Sequence, residues 1–323
     1  NADDASGIEL TLRGGTYSFR NDMWFCLTGA DMQAKLDDQL VPLYTPFYAK
    51  RGQVLEFGEA KEGMRTYLLV EGGLDMPKIL GSSSTFTLGG FGGHGGRALR
   101  PGDVLQVQET SDTKIQHTLT DVHQPEVSKH WTIGVIPGPH CTEEFLQPDY
   151  LQQLSETEWE VHFNSSRTGV RLIGPAPNWT REDGGEAGLH PSNIHDNAYA
   201  VGTLDLTGDM PILLGPDGPS LGGFVGQLHP GDKVRFQLLT IEEANELRKC
   251  QEEKIEAVGE SNTEKLAEVK LPDKQKTLTP DYPLFIYEEI GRRFPISVRF
   301  SGDEYLLVEY GEMELDLKLR FQV

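Results

Sequence analysis

A series of three motifs that occurs twice in the same order constrains this chain more than anything else in it. Asp75-Met76-Pro77-Lys78-Ile79-Leu80-Gly81 returns as Asp209-Met210-Pro211-Ile212-Leu213-Leu214-Gly215. Leu88-Gly89-Gly90-Phe91 returns as Leu221-Gly222-Gly223-Phe224, and Leu99-Arg100-Pro101-Gly102-Asp103-Val104 as Leu228-His229-Pro230-Gly231-Asp232-Lys233. The offsets are 134 (Met210 against Met76), 133 (Leu221 against Leu88) and 129 (Leu228 against Leu99). Order and spacing kept together read as two copies of one unit of about 110–130 residues, an ordinary domain size. Each Pro-Gly-Asp reads as a turn entering a strand, because proline presets the first turn position and glycine accepts positive φ.

Between these landmarks, 36 glycines and 19 prolines punctuate short β-branched and aromatic runs such as Ile8 to Leu12, Thr66 to Val70 and Trp131 to Ile136. Short strands with turns at close intervals predict an all-β chain, mainly β with a few helices, arranged as sandwich or barrel rather than bundle. The one good helical stretch runs from Thr240 to roughly Ala257, with Glu242 and Glu243 in its first turn and Arg248 and Lys249 further along. Ile241, Ala244, Leu247 and Ile255 give it an apolar stripe. Charged residues from Gly259 to Lys276 read as a linker. Pro295 to Phe300 and Tyr305 to Tyr310, separated by Ser301-Gly302-Asp303, read as a hairpin of another domain. The expected organisation is a first β unit at 1–118, a second at 119–258 ending in the helix, a linker at 259–280 and the start of a further module at 281–323.

Charge excludes one class of partner. With 29 Lys and Arg against 50 Asp and Glu, the net charge is −21. Phosphate-backbone binding draws its affinity from cations, so no nucleic acid is expected. No run of roughly 18 apolar residues exists to span a bilayer, and Asn1 to Gly7 lacks a signal-peptide profile, so no membrane association is expected. Cys26, Cys141 and Cys250 are odd in number and far apart, which fits a reducing, cytoplasmic setting. The sequons at Asn164 and Asn178 belong to a pattern short enough to recur by chance and carry no weight.

Candidate chemistry concentrates in the second copy. In the first, Gly89 to Arg97 looks like a phosphate-cradling loop, but no Gly-Lys-Ser/Thr is present and a Pro-Gly-Asp turn follows instead of a helix. Its glycines read as permitting close backbone approach between strands, or as a rim that leaves Arg97 available to an anion. In the second, Gly188 to Gly202 holds His190, Ser192, Asn193, His195, Asp196, Asn197 and Tyr199. Asn193, His195 and Asn197 alternate, so an extended chain places them on one face. A carboxylate such as Asp196 accepts two N–H groups side by side, while Asn and His supply donors for a carbonyl oxygen, which suits a planar amide-like ligand. A metal held by His190, His195 and Asp196 lacks the helical H-x-x-x-H spacing and any nearby thiolate. A serine hydrolase lacks its G-x-S-x-G elbow. Arg167 and Arg171 stand at alternate-residue distance and read as one face of a strand, either paired with carboxylates or recognising an anionic or carbonyl group.

Gly184 to Ala200, followed by Gly208-Asp209-Met210-Pro211 and Leu214 to Phe224, resembles the carboxyltransferase region of urea carboxylase, the biotin-dependent enzyme that makes allophanate. Asn164 to Leu172 and Gly89 to Leu99 match the same family, and the resemblance runs from about Gly7 to Phe236. Phe294 to Val323 resembles the opening of the second module of that region. Phe224-Val225-Gly226-Gln227 departs from the family by joining its two flanking turns directly, where members insert further residues. The resemblance implies tandem cyclophilin-like β-barrel units followed by the start of an α+β module. It implies transfer of CO2 from carboxybiotin to a nitrogen of urea or a related small amide. Asp196, with His195 and Asn197, is then catalytic, while Asn193, Tyr199 and Arg171 bind substrate. Asp217, Gly218 and Ser220 lie near the entering biotin. Biotin is carried on a separate domain, the carrier and biotin carboxylase domains are partners within the same polypeptide, and this region needs no metal. Guanidine as acceptor, or a noncatalytic interaction module like the bacterial 5-oxoprolinase subunits, are the alternatives.

Overall fold

The computed structural model describes residues 5–109, 124–181, 190–193, 202–206, 208–214, 227–259, 270–272, 286–290, 294–302 and 305–311. One compact unit extends to Ser128 and a second begins at Lys129. The fold is mainly β, as expected.

The first unit contains β1 (Ile8–Thr11), β2 (Thr16–Ser18), β3 (Met23–Gly29), β4 (Lys35–Leu36), β5 (Gln39–Leu40), β6 (Phe47–Ala49), β7 (Val54–Glu56) and β8 (Arg65–Val70). They form two antiparallel sheets, ordered β1-β8-β3-β6 and β2-β7-β4-β5. Side chains alternate between faces, so Ile8 and Leu10, Phe25 and Leu27, and Leu68 and Val70 all turn to one core. Leu68 stands opposite both Ile8 and Leu27, and Leu36 and Leu55 reach the same core from the second sheet.

Beyond β8 the first copy of the repeated motifs leaves the sheet and returns to it. Leu74 bridges Val107, and the Gln108 amide donates to the Gly73 carbonyl at 3.0 Å. Inside this excursion the Gly-rich segment curls on itself, with Phe86 bridging Phe91. Gly92 and Gly96 both have positive φ, and a Cβ on either would collide with the carbonyl oxygen of Ser84 or Gly90. Close backbone approach is therefore what these glycines allow, but within a loop and not between strands. Arg97 is not available to an anion. Its guanidinium donates to both oxygens of Asp103 at 2.7 and 2.8 Å, which holds that carboxyl well below the usual carboxylate range.

The second unit contains β9 (His130–Val135), α1 (Tyr150–Glu156), β10 (Trp159–Val161), β11 (Gly169–Ile173), β12 (Leu204–Asp205), β13 (Ile212–Leu214), β14 (Lys233–Leu238) and α2 (Ile241–Gly259). The sheet order is β12-β13-β11-β10-β14-β9. Its pairs are antiparallel except β14 with β9, which run parallel from Lys233 opposite His130 to Leu238 opposite Val135. Trp159, Val161, Leu172, Val234 and Phe236 fill its core. A three-stranded sheet comes next, β15 (Ile286–Ile290), β16 (Phe294–Ser301) and β17 (Tyr305–Tyr310), with Ser301 opposite Tyr305 across Gly302 as the sequence predicts.

The two Pro-Gly-Asp turns are built alike. In each, the Asp amide donates to the carbonyl three residues back (Arg100 at 3.1 Å, His229 at 2.9 Å). The Asp carboxylate accepts the amide of that same residue in return, at 2.8 and 2.9 Å. Past the turn the two copies diverge. Asp232 is buried, accepts the Trp131 indole N–H at 2.9 Å and leads into β14. Asp103 binds the surface group Arg97, and the residues after it form no strand, only the bridge at Val107.

α2 begins where the sequence places it. The Glu243 amide donates to the Thr240 hydroxyl at 3.2 Å and the Thr240 amide to the Glu243 carboxylate at 3.0 Å, a reciprocal cap. Two expectations for it are corrected. Ile241, Ala244 and Leu247 are half-buried but Ile255 is 64% exposed, so the apolar stripe does not extend to it. The helix continues to Gly259 with no basic residue in its last turn, so Arg248 and Lys249 lie mid-helix, bonded to Asn245 and paired with Glu253, and not at its negative end. The seven-residue α1 escapes the sequence reading, since no side chain caps it. Among the described residues no helix is long and apolar enough to cross a membrane.

Removing the Asp232 carboxylate breaks two hydrogen bonds and orphans a buried indole N–H, so Asp232→Ala is expected to destabilise the second unit by about 2–4 kcal/mol. Asp103→Ala, which breaks a partly exposed pair, is expected to cost less. Calorimetric unfolding of the two variants checks the order.

Candidate active site

Because β9 and β14 are parallel, both carboxyl ends arrive at the same side of the sheet. There they open a cavity of about 550 Å³. The segment after β9, from Ile136 to Cys141, forms one wall, and Leu238 at the end of β14 with Leu239 and Ala244 beyond it another. α1 contributes Tyr150, Leu151 and Leu154, β12 contributes Leu204 and Asp205, and the last hairpin Ser301 and Leu307.

Tyr150 and Trp179 are both residues of this wall. The loop before α1 is laced to the Trp179 strand segment. The Gln147 amide donates to the Asn178 carbonyl at 2.8 Å and the Thr180 amide to the Phe145 carbonyl at 2.9 Å, with Leu146 bridging Trp179. The Tyr150 amide in turn donates to the Gln147 carbonyl at 3.0 Å. Tyr150 is completely buried, and among the described residues neither its hydroxyl nor the Trp179 indole N–H has a hydrogen-bond partner. Burial, helped by the neighbouring Cys141, pushes the phenol above its ordinary range, so it stays a proton donor. Burial likewise raises the Cys141 thiol. It lowers His140, against the raising effect of Glu309 and Glu144, and leaves a neutral ring packed edge-on against Phe145 at 5.3 Å.

The described part of the polar segment, residues 190–193, is a turn. The Asn193 amide donates to the His190 carbonyl at 2.9 Å, and the Ser192 hydroxyl accepts the Gly208 amide at 3.0 Å. The Ser192 amide donates to His190 Nδ1 at 3.2 Å, so that nitrogen is an acceptor and the ring proton sits on Nε2, facing Asp209 at 3.4 Å. The His190 ring meets Trp179 edge-on at 5.7 Å. Arg181 lies over Phe145 at 4.3 Å, pairs with Glu144 and reaches the Asn193 carbonyl at 3.5 Å. These contacts set Ser192 and Asn193 into the cavity wall.

Of the residues singled out from the sequence, Asn193 lines the cavity. His195, Asp196, Asn197, Tyr199, Asp217, Gly218 and Ser220 lie outside the described residues. Arg171 stands on the exposed side of β11 and is not part of the cavity wall. Arg167 does not share a strand face with it, because the Ser166 and Gly169 backbones bond each other across a tight turn that holds Arg167 at its tip. His190 serves the turn. Among the described residues no group of three His, Cys, Asp or Glu side chains could hold a metal ion.

Tyr150, Trp179 and Asp205 are additions that the sequence reading missed. Trp179 sits in a sequon that carried no weight there. No sequence pattern marks Tyr150, whose character comes from enclosure without a partner.

Known proteins share this architecture. The family model described as carboxyltransferase domain, subdomain A and B, matches residues 1–238. Urea amidolyase of Saccharomyces cerevisiae is 37% identical over 337 residues, covering 98% of this chain and 18% of that protein. The crystal structure of Kluyveromyces lactis urea carboxylase matches with a TM-score of 0.86 at 36% identity, covering 98% of this chain and 30% of that one. A 5-oxoprolinase subunit of Escherichia coli is 29% identical over 274 residues, covering 79% of this chain and 82% of that protein. By its match over residues 1–238 and its identity to urea amidolyase along nearly its whole length, this chain belongs to the carboxyltransferase domain family, subdomains A and B.

Proposed function

We propose that this chain is the carboxyltransferase part of a biotin-dependent urea carboxylase, which moves CO2 from carboxybiotin to a urea nitrogen and yields allophanate. The observation that carries the reading is the second-unit cavity, whose wall includes Ser192 and Asn193 of the segment that resembles urea carboxylase. Its volume of about 550 Å³ exceeds what urea alone needs and leaves room for a ureido ring beside it. Likeness to a urea amidolyase over 98% of the chain supports the same reading.

Urea nitrogen is a poor nucleophile because its lone pair is delocalised into the carbonyl. The site must hold the molecule flat and let a proton leave as the N–C bond forms. Asp196 accepts the N–H groups, Asn193, His195 and Asn197 orient the molecule, and Tyr199 closes one side. Asp217, Gly218 and Ser220 flank the approach of biotin. Biotin, when bound, supplies the carboxyl group and takes up the proton that the urea nitrogen loses. Arg171, on the exposed side of its strand, is given no part. The biotin carboxylase and carrier domains belong to the same cytoplasmic polypeptide, of which this chain spans a fraction, as it does in the urea amidolyases.

In the intact polypeptide, Asp196→Asn is expected to lower urea-dependent carboxyl transfer by about 10²-fold through lost orientation, while carboxylation of biotin continues. Radiolabelled bicarbonate followed into allophanate and into carboxybiotin measures both. Unchanged transfer to urea removes Asp196 from the site.

A further inference from the structure

The sequence has no nucleophile elbow, yet the turn at 190–193 brings a serine, a histidine and an aspartate into line. The Ser192 hydroxyl lies 2.9 Å from His190 Nδ1, and His190 Nε2 lies 3.4 Å from Asp209 Oδ1. Hydrogen-bond accounting fixes which way these groups face. The Ser192 amide donates to Nδ1 at 3.2 Å, so that nitrogen bears no proton and the hydroxyl can only donate to it. The hydroxyl oxygen in turn accepts the Gly208 amide at 3.0 Å, which leaves it one lone pair. The ring proton is on Nε2 and faces Asp209.

The three groups run from the cavity towards water. Ser192 is half-buried in the cavity wall, the His190 side chain is 37% exposed and that of Asp209 74%. The His190 ring is braced edge-on against Trp179 at 5.7 Å, and its backbone carbonyl accepts the Asn193 amide at 2.9 Å. The turn itself uses only Nδ1. A carboxylate opposite Nε2 stabilises a ring that has taken up a second proton, which is the part an aspartate plays behind a histidine that serves a serine.

We propose that Ser192, with His190 and Asp209 behind it, carries the proton that the urea nitrogen loses and returns it to the ureido nitrogen of biotin. The assignment rests on the carboxyltransferase reading and adds the path of the proton. As the urea nitrogen bonds the carboxyl carbon, the bond from that carbon to the ureido nitrogen breaks and leaves its electron pair on the ureido side. The proton on the attacking nitrogen becomes labile. It passes to Ser192 Oγ while the hydroxyl proton passes to His190 Nδ1, and the cationic ring faces Asp209. The same two transfers in reverse deliver a proton to the ureido nitrogen that has lost its carboxyl. No proton is gained or lost overall, and the serine forms no covalent bond. Ser192 is the catalytic residue; His190 and Asp209 act through it.

Three variants of the intact polypeptide test this. Ser192→Ala removes the group that meets the substrate. His190→Gln keeps an acceptor for the Ser192 amide but cannot hold a proton, and Asp209→Asn removes an exposed charge. kcat for allophanate formation should fall by about 10²-fold in the first two and by less in the third, with KM for urea little changed. Ser192→Ala also loses the Gly208 bond, so Ser192→Thr, which keeps the hydroxyl, should recover most of the kcat. Urea affinity, titrated calorimetrically without carboxybiotin, and melting temperature should stay near the unsubstituted values in His190→Gln and Asp209→Asn, because both residues act only once the proton moves. Undiminished kcat in those two variants, or a loss matched by weaker urea binding or a lower melting temperature, would overturn the proposal. Should His190→Gln fail to fold, undiminished kcat in Asp209→Asn overturns it alone. If the unsubstituted polypeptide makes no allophanate from urea, the carboxyltransferase reading fails and the shuttle with it; turnover that none of the variants slows sinks the shuttle alone.

Discussion

The Asp232 carboxylate, shut away from solvent, fixes where the second unit's sheet begins. It accepts the His229 amide, which closes the turn, and the Trp131 indole, which lies on the neighbouring strand. A buried carboxylate needs good donors in place of water, and these two come from the segments that have to run side by side. The parallel pairing of β9 with β14 starts from that point, and with both strands pointing one way their ends open the same cavity. The equivalent Asp103 makes the same turn, but its remaining partners, Arg97 and His94, lie on its own loop. No second strand is tied to it, and a loop stands where β14 stands in the other copy. One duplicated motif thus has two outcomes, decided by which donor finds the carboxylate.

Much of the fold was legible in the sequence wherever local chemistry decides it. The repeated Pro-Gly-Asp turns, the hairpin across Gly302 and the helix beginning at Thr240 each rest on residues close together in the chain, and each forms as expected, except that the first Pro-Gly-Asp turn enters no strand. Where the reading went astray, a distant or unforeseen partner had decided. Arg97 looked available because nothing in its pattern says that Asp103 folds back onto it. Arg167 and Arg171 looked like one strand face because the Ser166–Gly169 turn between them leaves no periodic trace. The apolar stripe on α2 had the right spacing but Ile255 remains exposed. In the candidate site, the sequence drew the eye to the polar segment around Asn193, which does reach the cavity. It gave no hint of Tyr150, since the chemical character of that residue comes from what is missing around it.

The cavity wall has the character of a site and not of a core. Its residues are arranged to keep charge out. His140 and Cys141 are held neutral by burial, and the carboxylate that remains, Asp205, is complementary to N–H groups. Recognition in such a place comes from matching donors to acceptors on a small flat molecule, which hydrophobic contact cannot do for a ligand with almost no apolar surface.

A crystal structure of the intact polypeptide with urea at saturating concentration examines this most directly. The account predicts urea in the second-unit cavity, against Ser192 and Asn193. Urea bound outside that cavity would contradict it.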